Sequence, residues 1–474
     1  MIKSGLTISQ TDNFNANFGE VLRSSSIFYF ARTASVRTTI SLMNYWRFKR
    51  ETSVAIIATL RDMSGALVHR TRLAFDPGHV INYSPEVDEG FEGSLEIEAI
   101  SAENLVIPYA AVMTVIEAPK SISMVHSYAR AYSQHEIDEG RTITLGREGC
   151  WRIVDDLKTS SFCVFHNGPE WQKSQTLSLE VICEKESAHA DILLPALRPF
   201  QTVKLQPRDH IVGLVDWLAG RTGYASVSFD LGQAFTRMLV GNELIDGSEV
   251  SITHSNFDYR RHTTEIVDGC TEAFMRVPPS LLGSARVIVY PHFHAGQYEA
   301  HEGATHHFTS NTPLSFVPSE STIKFGSAGG AFPARLVTGI EVPSQGHLSA
   351  ECSLGVYHAR RPLKRTHWGI VTEKEGLSSR IIGLPFDCIY GVPKGNVTAK
   401  LFSAKTNEIL TAEWTLTPND SQEFSWALTD IFPNARAHLG DAFGFVYMVS
   451  EYGGLQCFSQ LTKENGSTTI EHMF

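Results

Sequence analysis

Three stretches of this chain repeat one order of residues, and that repetition limits the possible fold more than any other feature. The first runs Ser121-Ile-Ser-Met-Val-His126-Ser-Tyr128-Ala-Arg130-Ala-Tyr132-Ser-Gln-His135 and exits through acidic residues to Gly140. The second runs Glu249-Val-Ser-Ile-Thr-His254-Ser-Asn-Phe-Asp-Tyr259-Arg260-Arg261-His262 and exits to Gly269. The third, Leu354-Gly-Val-Tyr-His358-Ala-Arg360-Arg361-Pro-Leu-Lys-Arg-Thr-His367, keeps both histidines, the arginines between them and an acidic exit to Gly376.

Upstream of the first two stretches, and again after the third, the order of features also recurs. Ser53–Leu60, Thr176–Cys183 and Asn396–Phe402 alternate apolar and polar residues with the period of two that marks a half-buried strand. Turn residues follow at Met63-Ser64-Gly65, Glu186-Ser187-Ala188 and Thr406-Asn407-Glu408, and late strands at Phe91–Glu98, Gly223–Phe229 and Gly440–Tyr447. With 474 residues the chain exceeds one core. The repeat divides it into units at 20–137, 138–264, 265–374 and 375–474. Short strands punctuated by turn residues predict an all-β protein of tandem antiparallel β-sandwich domains. Helix is confined to short capping pieces such as Ile211–Leu218 and Ser425–Phe432. The last unit closes on Gly454–Gln460, where Phe458-Ser459 stand in place of His-Ser.

Charge narrows the partners. A formal net charge of −11 opposes the concentrated basic field that nucleic acid or an anionic membrane requires. The polar start of the chain does not read as a secretory signal, and Val106–Ile116 is too short to span a bilayer and contains Pro108. A cytoplasmic location with no membrane span is therefore expected. The seven cysteines are scattered without a CxxC pair, which fits reduced, buried thiols.

The paired histidines, with their arginines and tyrosines, are the first candidate site. His126, Tyr128, Arg130 and His135, then His254, Tyr259, Arg260 and His262, then His358, Arg360 and His367, would each meet at a junction between units. Guanidinium groups there suit a carboxylate or phosphate, and tyrosine rings suit a sugar face. The blander account is a linker whose histidines bond to backbone and fix the angle between neighbours.

The densest histidine cluster is Tyr290-Pro-His292-Phe-His294-Ala-Gly-Gln-Tyr-Glu299-Ala-His301-Glu302-Gly-Ala-Thr-His306-His307. His292, His294, Glu299 and His301 offer imidazole and carboxylate ligands for a divalent metal, the one cofactor the chain suggests. The alternative is a polar hairpin, and Gly303 opposes the helix a zincin needs. Nucleophile elbows and phosphate loops are missing from the sequence. Trp171 and the Tyr45-Trp46 pair precede their strands at comparable places, where a ring serves either as a sugar platform or as core packing.

Repetition favours binding or assembly, because a unit used several times serves reach and avidity whereas one catalytic centre suffices. The expectation is a non-catalytic β protein that recognises an extended glycan or other anionic polymer at its junctions. A structural protein forming a homo-oligomer or particle surface is the second reading, and a metal-dependent enzyme at the His292/His294 cluster the third.

Overall fold

A computed structural model describes residues 20–107, 112–126, 129–139, 145–228, 234–255, 258–259, 271–291, 296–309, 311–328, 336–359, 363–418 and 423–474. The first eight strands are Arg23–Arg32, Arg37–Met43, Ala55–Asp62, Leu67–Leu73, Val80–Tyr83, Phe91–Ile100, Val112–Glu117 and Ile122–Val125. The fourth, third, sixth and first of these lie side by side in that order, and the fifth, second, seventh and eighth form a second antiparallel layer. The same two sheets, in the same strand order, recur over 145–254, 272–355 and 366–472. Four sandwiches of one topology therefore follow one another. Thr366–Val371, placed in the third unit by sequence, pairs with Gly444–Ser450 and opens the fourth sandwich.

The sheets form where the period-two pattern is clearest. In strand Gln175–Cys183 the side chains of Leu177, Leu179, Val181 and Cys183 are buried, while Thr176 and Ser178 face out. Val397, Ala399 and Leu401 do the same in strand Gly395–Phe402. Short helices cap the sandwich ends between the fifth and sixth strands: Leu214 and Leu218 enter the second core, and Leu428, Ala435 and Leu439 the fourth. Phe424–Ala427 is a strand, so only the second half of the helix read at Ser425–Phe432 is helical, over Leu428–Ile431. Two aromatic rings paired by sequence part company, since Trp46 is buried in the core and Trp171 is 66% exposed. Cys150, Cys163, Cys183, Cys352 and Cys457 are buried free thiols and Cys388 is an exposed one. No described helix is long and apolar enough to cross a membrane.

The eighth strand ends the inner sheet of every sandwich, and these four edges pack against one another. Ile122–Val125 lies beside Val250–His254, that strand beside His347–Gly355, that one beside Thr468–His472, and the last returns to Ile122–Val125. The chain thus closes on itself around a hub. Each contact between neighbours has its own chemistry. Tyr29, Ile116, Phe162, Val164 and Ile252 make an apolar seam between the first two sandwiches. Between the second and third, buried Arg152 reaches Glu341 at 3.2 Å and Glu351 at 3.7 Å, and Tyr290 donates to Glu351. Ile382, Leu384, Phe458 and Ile470 of the fourth extend the core of the third.

Closure between first and last sandwiches is the most extensively apolar. Trp368, Phe402, Phe445 and Tyr447 join the core of Trp46, Leu42 and Ile56, with the Phe48 and Phe402 rings 4.3 Å apart. Backbone meets backbone there as well, His79 N donating to Ser403 O at 2.8 Å. Gly78 permits this approach, because a Cβ on it would lie 2.2 Å from that carbonyl oxygen.

Candidate functional site at the hub

Edge strands carry unpaired N–H and C=O groups that must find partners once buried. Here small hydroxyl side chains supply them. Ser121 Oγ accepts from Val250 N at 2.8 Å and donates to Val250 O at 3.0 Å. Ser123 Oγ treats Ile252 in the same way, at 2.8 and 3.3 Å. Around the rest of the hub, Ser251 Oγ donates to Ser349 O at 2.7 Å, Thr468 N to Ser344 Oγ at 3.3 Å, and Met124 N to Thr469 Oγ1 at 3.2 Å. His347 ties three sandwiches at once, with Nδ1 2.8 Å from Glu249 Oε1 and Nε2 3.1 Å from Asn465 O.

At one end of these strands three imidazoles converge. His126 and His254 follow or finish the eighth strands of the first two sandwiches, and His472 finishes that of the fourth. The His126 ring centre is 4.6 Å from that of His254, 4.8 Å from His472 and 4.2 Å from Phe474. Glu471 Oε1 stands 3.3 Å from His126 Nδ1 and 3.6 Å from His472 Nε2, and Cys352 Sγ is 3.9 Å from the same oxygen. His126, His254 and Glu471 are 5%, 6% and 1% exposed. Burial, the two neighbouring histidines, Arg237 and Lys364 hold the His126 imidazole well below its ordinary pKa, so it is neutral. Burial likewise pushes the Glu471 carboxyl up to about 8, against the lowering pull of the His472 N–H and Arg237.

Two protons can be placed from partners that have only one role. The carbonyl of Ser255 lies 3.0 Å from His254 Nδ1 and only accepts, so Nδ1 bears the proton and Nε2 the lone pair. Arg237 Nη1 lies 3.0 Å from His126 Nε2 and only donates, so that nitrogen carries the lone pair and Nδ1–H faces Glu471.

No known protein family matches this chain, and no curated protein resembles it. Among solved structures, a chain described under "Structural insight into host cell surface retention of a 1.5-MDa bacterial ice-binding adhesin" aligns at 9% identity over 69% of this chain and 98% of its own, with a TM-score of 0.09. A score that low carries no likeness of fold. The many-sheeted all-β architecture by itself fits a structural or binding protein.

Of the predicted junction pairs, His126 and His135 are set apart, and the His254/His262 pair falls partly outside the described residues. His126 is in the hub whereas His135 is exposed on the helix Gln134–Asp138. Arg130 is 4% exposed, pairs with Glu136 and lies 5.5 Å from the Tyr132 ring centre. His254 joins His126; His358 is half-buried; His367 is fully buried in strand Thr366–Val371, where burial and Lys364 press its pKa well down. The backbone of Tyr259 pairs with Leu145, and Tyr128, Arg260, His262 and Arg360 lie outside the described residues. The junction reading anticipated each pair meeting across the junction between two units; the histidines that meet come from the first, second and fourth sandwiches.

His292 and His294 also lie outside the described residues. Glu299 and His301 sit on the predicted hairpin, strands Gln297–Glu302 and Ala304–Thr309, where Glu299 is 3.1 Å from His301 and 3.2 Å from His307. All three are exposed, at 39%, 40% and 72% of their side chains. Sequence reading took Gly454–Gln460 as the closing strand of the fourth unit and so missed His472, because Leu455–Lys463 is the seventh strand there and one more follows. A signal was available: Ser123/His126, Ser251/His254 and Thr469/His472 share a hydroxyl three residues before the histidine.

Proposed function

We propose that this chain is a non-catalytic structural block that assembles with copies of itself. The observation that carries this reading is the closed ring: four sandwiches spend their eighth strands on one another at the hub, and each offers its fourth strand as an outer edge. Leu67–Leu73, Glu186–Leu194, Ala304–Thr309 and Leu410–Leu416 end their sheets with a backbone open to strand addition. Apolar side chains stand out on two of them, Leu67 at 63%, Val68 at 48% and Leu193 at 73% exposure. Such a block offers one such edge from each of its four sandwiches.

Sedimentation velocity across a wide concentration range tests this. Mass should rise with concentration, and Val68→Lys with Leu193→Lys should lower it without changing the melting temperature. A single-chain mass at every concentration sinks the reading. A second reading, recognition of an extended glycan, is supported by Trp171, whose ring is 66% exposed. It also has the groove of about 490 Å³ between the first two sandwiches, lined by Tyr29, Glu92, Lys204, Gln206, Arg208 and Glu243. Glycan-array binding lost on Trp171→Ala would favour it over self-assembly.

A further inference from the structure

We propose that His126, His254 and His472, with Glu471, form a site for one divalent transition-metal ion of the zinc type, pinned at the centre of the ring. The site goes beyond the structural reading and stands whether or not the chain assembles.

Geometry comes first. One ligand nitrogen from each histidine lies within 4.8 Å of the others. A tetrahedral zinc with metal–nitrogen bonds of about 2.0–2.1 Å sets its ligand atoms about 3.4 Å apart. Glu471 Oε1 already stands at 3.3 Å from His126 Nδ1 and 3.6 Å from His472 Nε2, near that spacing, and the imidazoles would close the remaining distance by rotamer adjustment. Three imidazoles and one carboxylate are the donor set of zinc, cobalt or nickel, and are too nitrogen-rich for calcium or magnesium.

Electrostatics and second-shell bonding agree. Arg237 Nη1 can only donate to His126 Nε2, so that imidazole keeps a lone pair, as a ligand must. His254 donates Nδ1–H to the Ser255 carbonyl, the outer-shell bond that orients a metal-binding imidazole. Glu471 would bind as the carboxylate, any carboxyl proton being released on binding. At His126 the Nδ1 proton would pass to Nε2, which requires the Arg237 guanidinium to swing from that nitrogen toward Glu471. The ion's charge is thereby set against a carboxylate and not against three imidazoles alone. Because the ligands come from the first, second and fourth sandwiches, one ion would tie the two ends of the chain together.

The test uses the full chain, untagged, stripped with a chelator and titrated with Co²⁺. One equivalent should produce the intense d–d absorption of four-coordinate cobalt and be displaced by Zn²⁺. Affinity should fall at least about tenfold in His254→Gln and in His472→Gln. The double variant His301→Ala/His307→Ala, which strips the exposed hairpin, should bind as the parent does. A hub substitution can unfold the ring, so the unaltered chain is also crystallised with equimolar Zn²⁺ and measured at the zinc edge, where an anomalous peak should lie among the three imidazoles. No four-coordinate spectrum in the parent, a spectrum unchanged in both hub variants or lost with His301 and His307, or an anomalous map without a hub peak would overturn the proposal.

Discussion

Arg237 Nη1 donates to His126 Nε2 across 3.0 Å, and this contact decides how the hub is protonated. A guanidinium has no acceptor, so the imidazole must turn its lone pair to Arg237 and its proton to Glu471. Arg237→Met keeps the length of the side chain and removes the donor. The buried Nε2 is then left without it, at a cost of about 1–3 kcal/mol, read as a lower unfolding midpoint in urea. Long-range ¹H–¹⁵N spectra should show His126 as the Nδ1–H tautomer in the parent and as a mixture in the variant.

Ser121 and Ser123 do for an edge strand what a neighbouring ladder would do, each hydroxyl serving both backbone groups of one residue opposite. Ser123→Ala removes both bonds to Ile252 and leaves a buried N–H and C=O unpaired. The expected loss is about 1–3 kcal/mol in chemical denaturation, with no change in the denaturant slope. Ser123→Thr keeps the hydroxyl and should recover part of it. An unchanged midpoint in the alanine variant would mean that the first two sandwiches are not joined through this bond.

Much of this architecture was legible in the sequence because a sandwich face half in water imposes alternation, as Leu177, Leu179 and Val181 show. The repeat was visible for the same reason: the eighth strands of the first, second and fourth sandwiches present hydroxyls and then a histidine to their neighbours. Where those histidines point was not visible. Convergence of His126, His254 and His472 depends on the first and last sandwiches meeting, a contact between residues hundreds of positions apart. Arg237 is harder still, since it lies on a connection beside strand Ala234–Thr236 and its only marked likeness is to Arg335, which also stands two residues before a seventh strand, with no histidine nearby in sequence to suggest a shared partner. The local helix capping at Ser133 and Glu136, by contrast, is a box that short-range chemistry alone supports.

Gly78 is the place where ring closure is most easily opposed. A methyl group there would stand 2.2 Å from Ser403 O, closer than any real contact, and backbone on the other side cannot yield as a side chain would. Gly78→Ala should therefore loosen the first sandwich from the fourth while each keeps its own core. Hydrogen exchange should quicken at His79 N, which donates to Ser403 O, before it quickens at Val397 or Leu401 inside the fourth sandwich. Equal protection in parent and variant would show that the two ends do not meet there.

His166 carries a pH dependence outside the hub. It is 4% exposed, with Nδ1 2.9 Å from Thr202 Oγ1, and burial together with nearby Arg61 lowers its pKa from 6.5 to about 3. Between those values the unfolded chain binds a proton that the folded chain refuses. The stability supplied by the neutral ring is thus complete above 6.5 and is lost as pH falls toward 3, at about 1.4 kcal/mol per pH unit for this one group. His166→Asn keeps a polar atom toward Thr202 and abolishes the titration. The variant should be less stable than the parent at pH 7, and the gap should shrink steadily as the pH is lowered below 6.5. Urea unfolding followed at half-unit steps of pH measures it, and a gap that stays constant down to pH 4 would show that His166 takes up its proton as readily folded as unfolded.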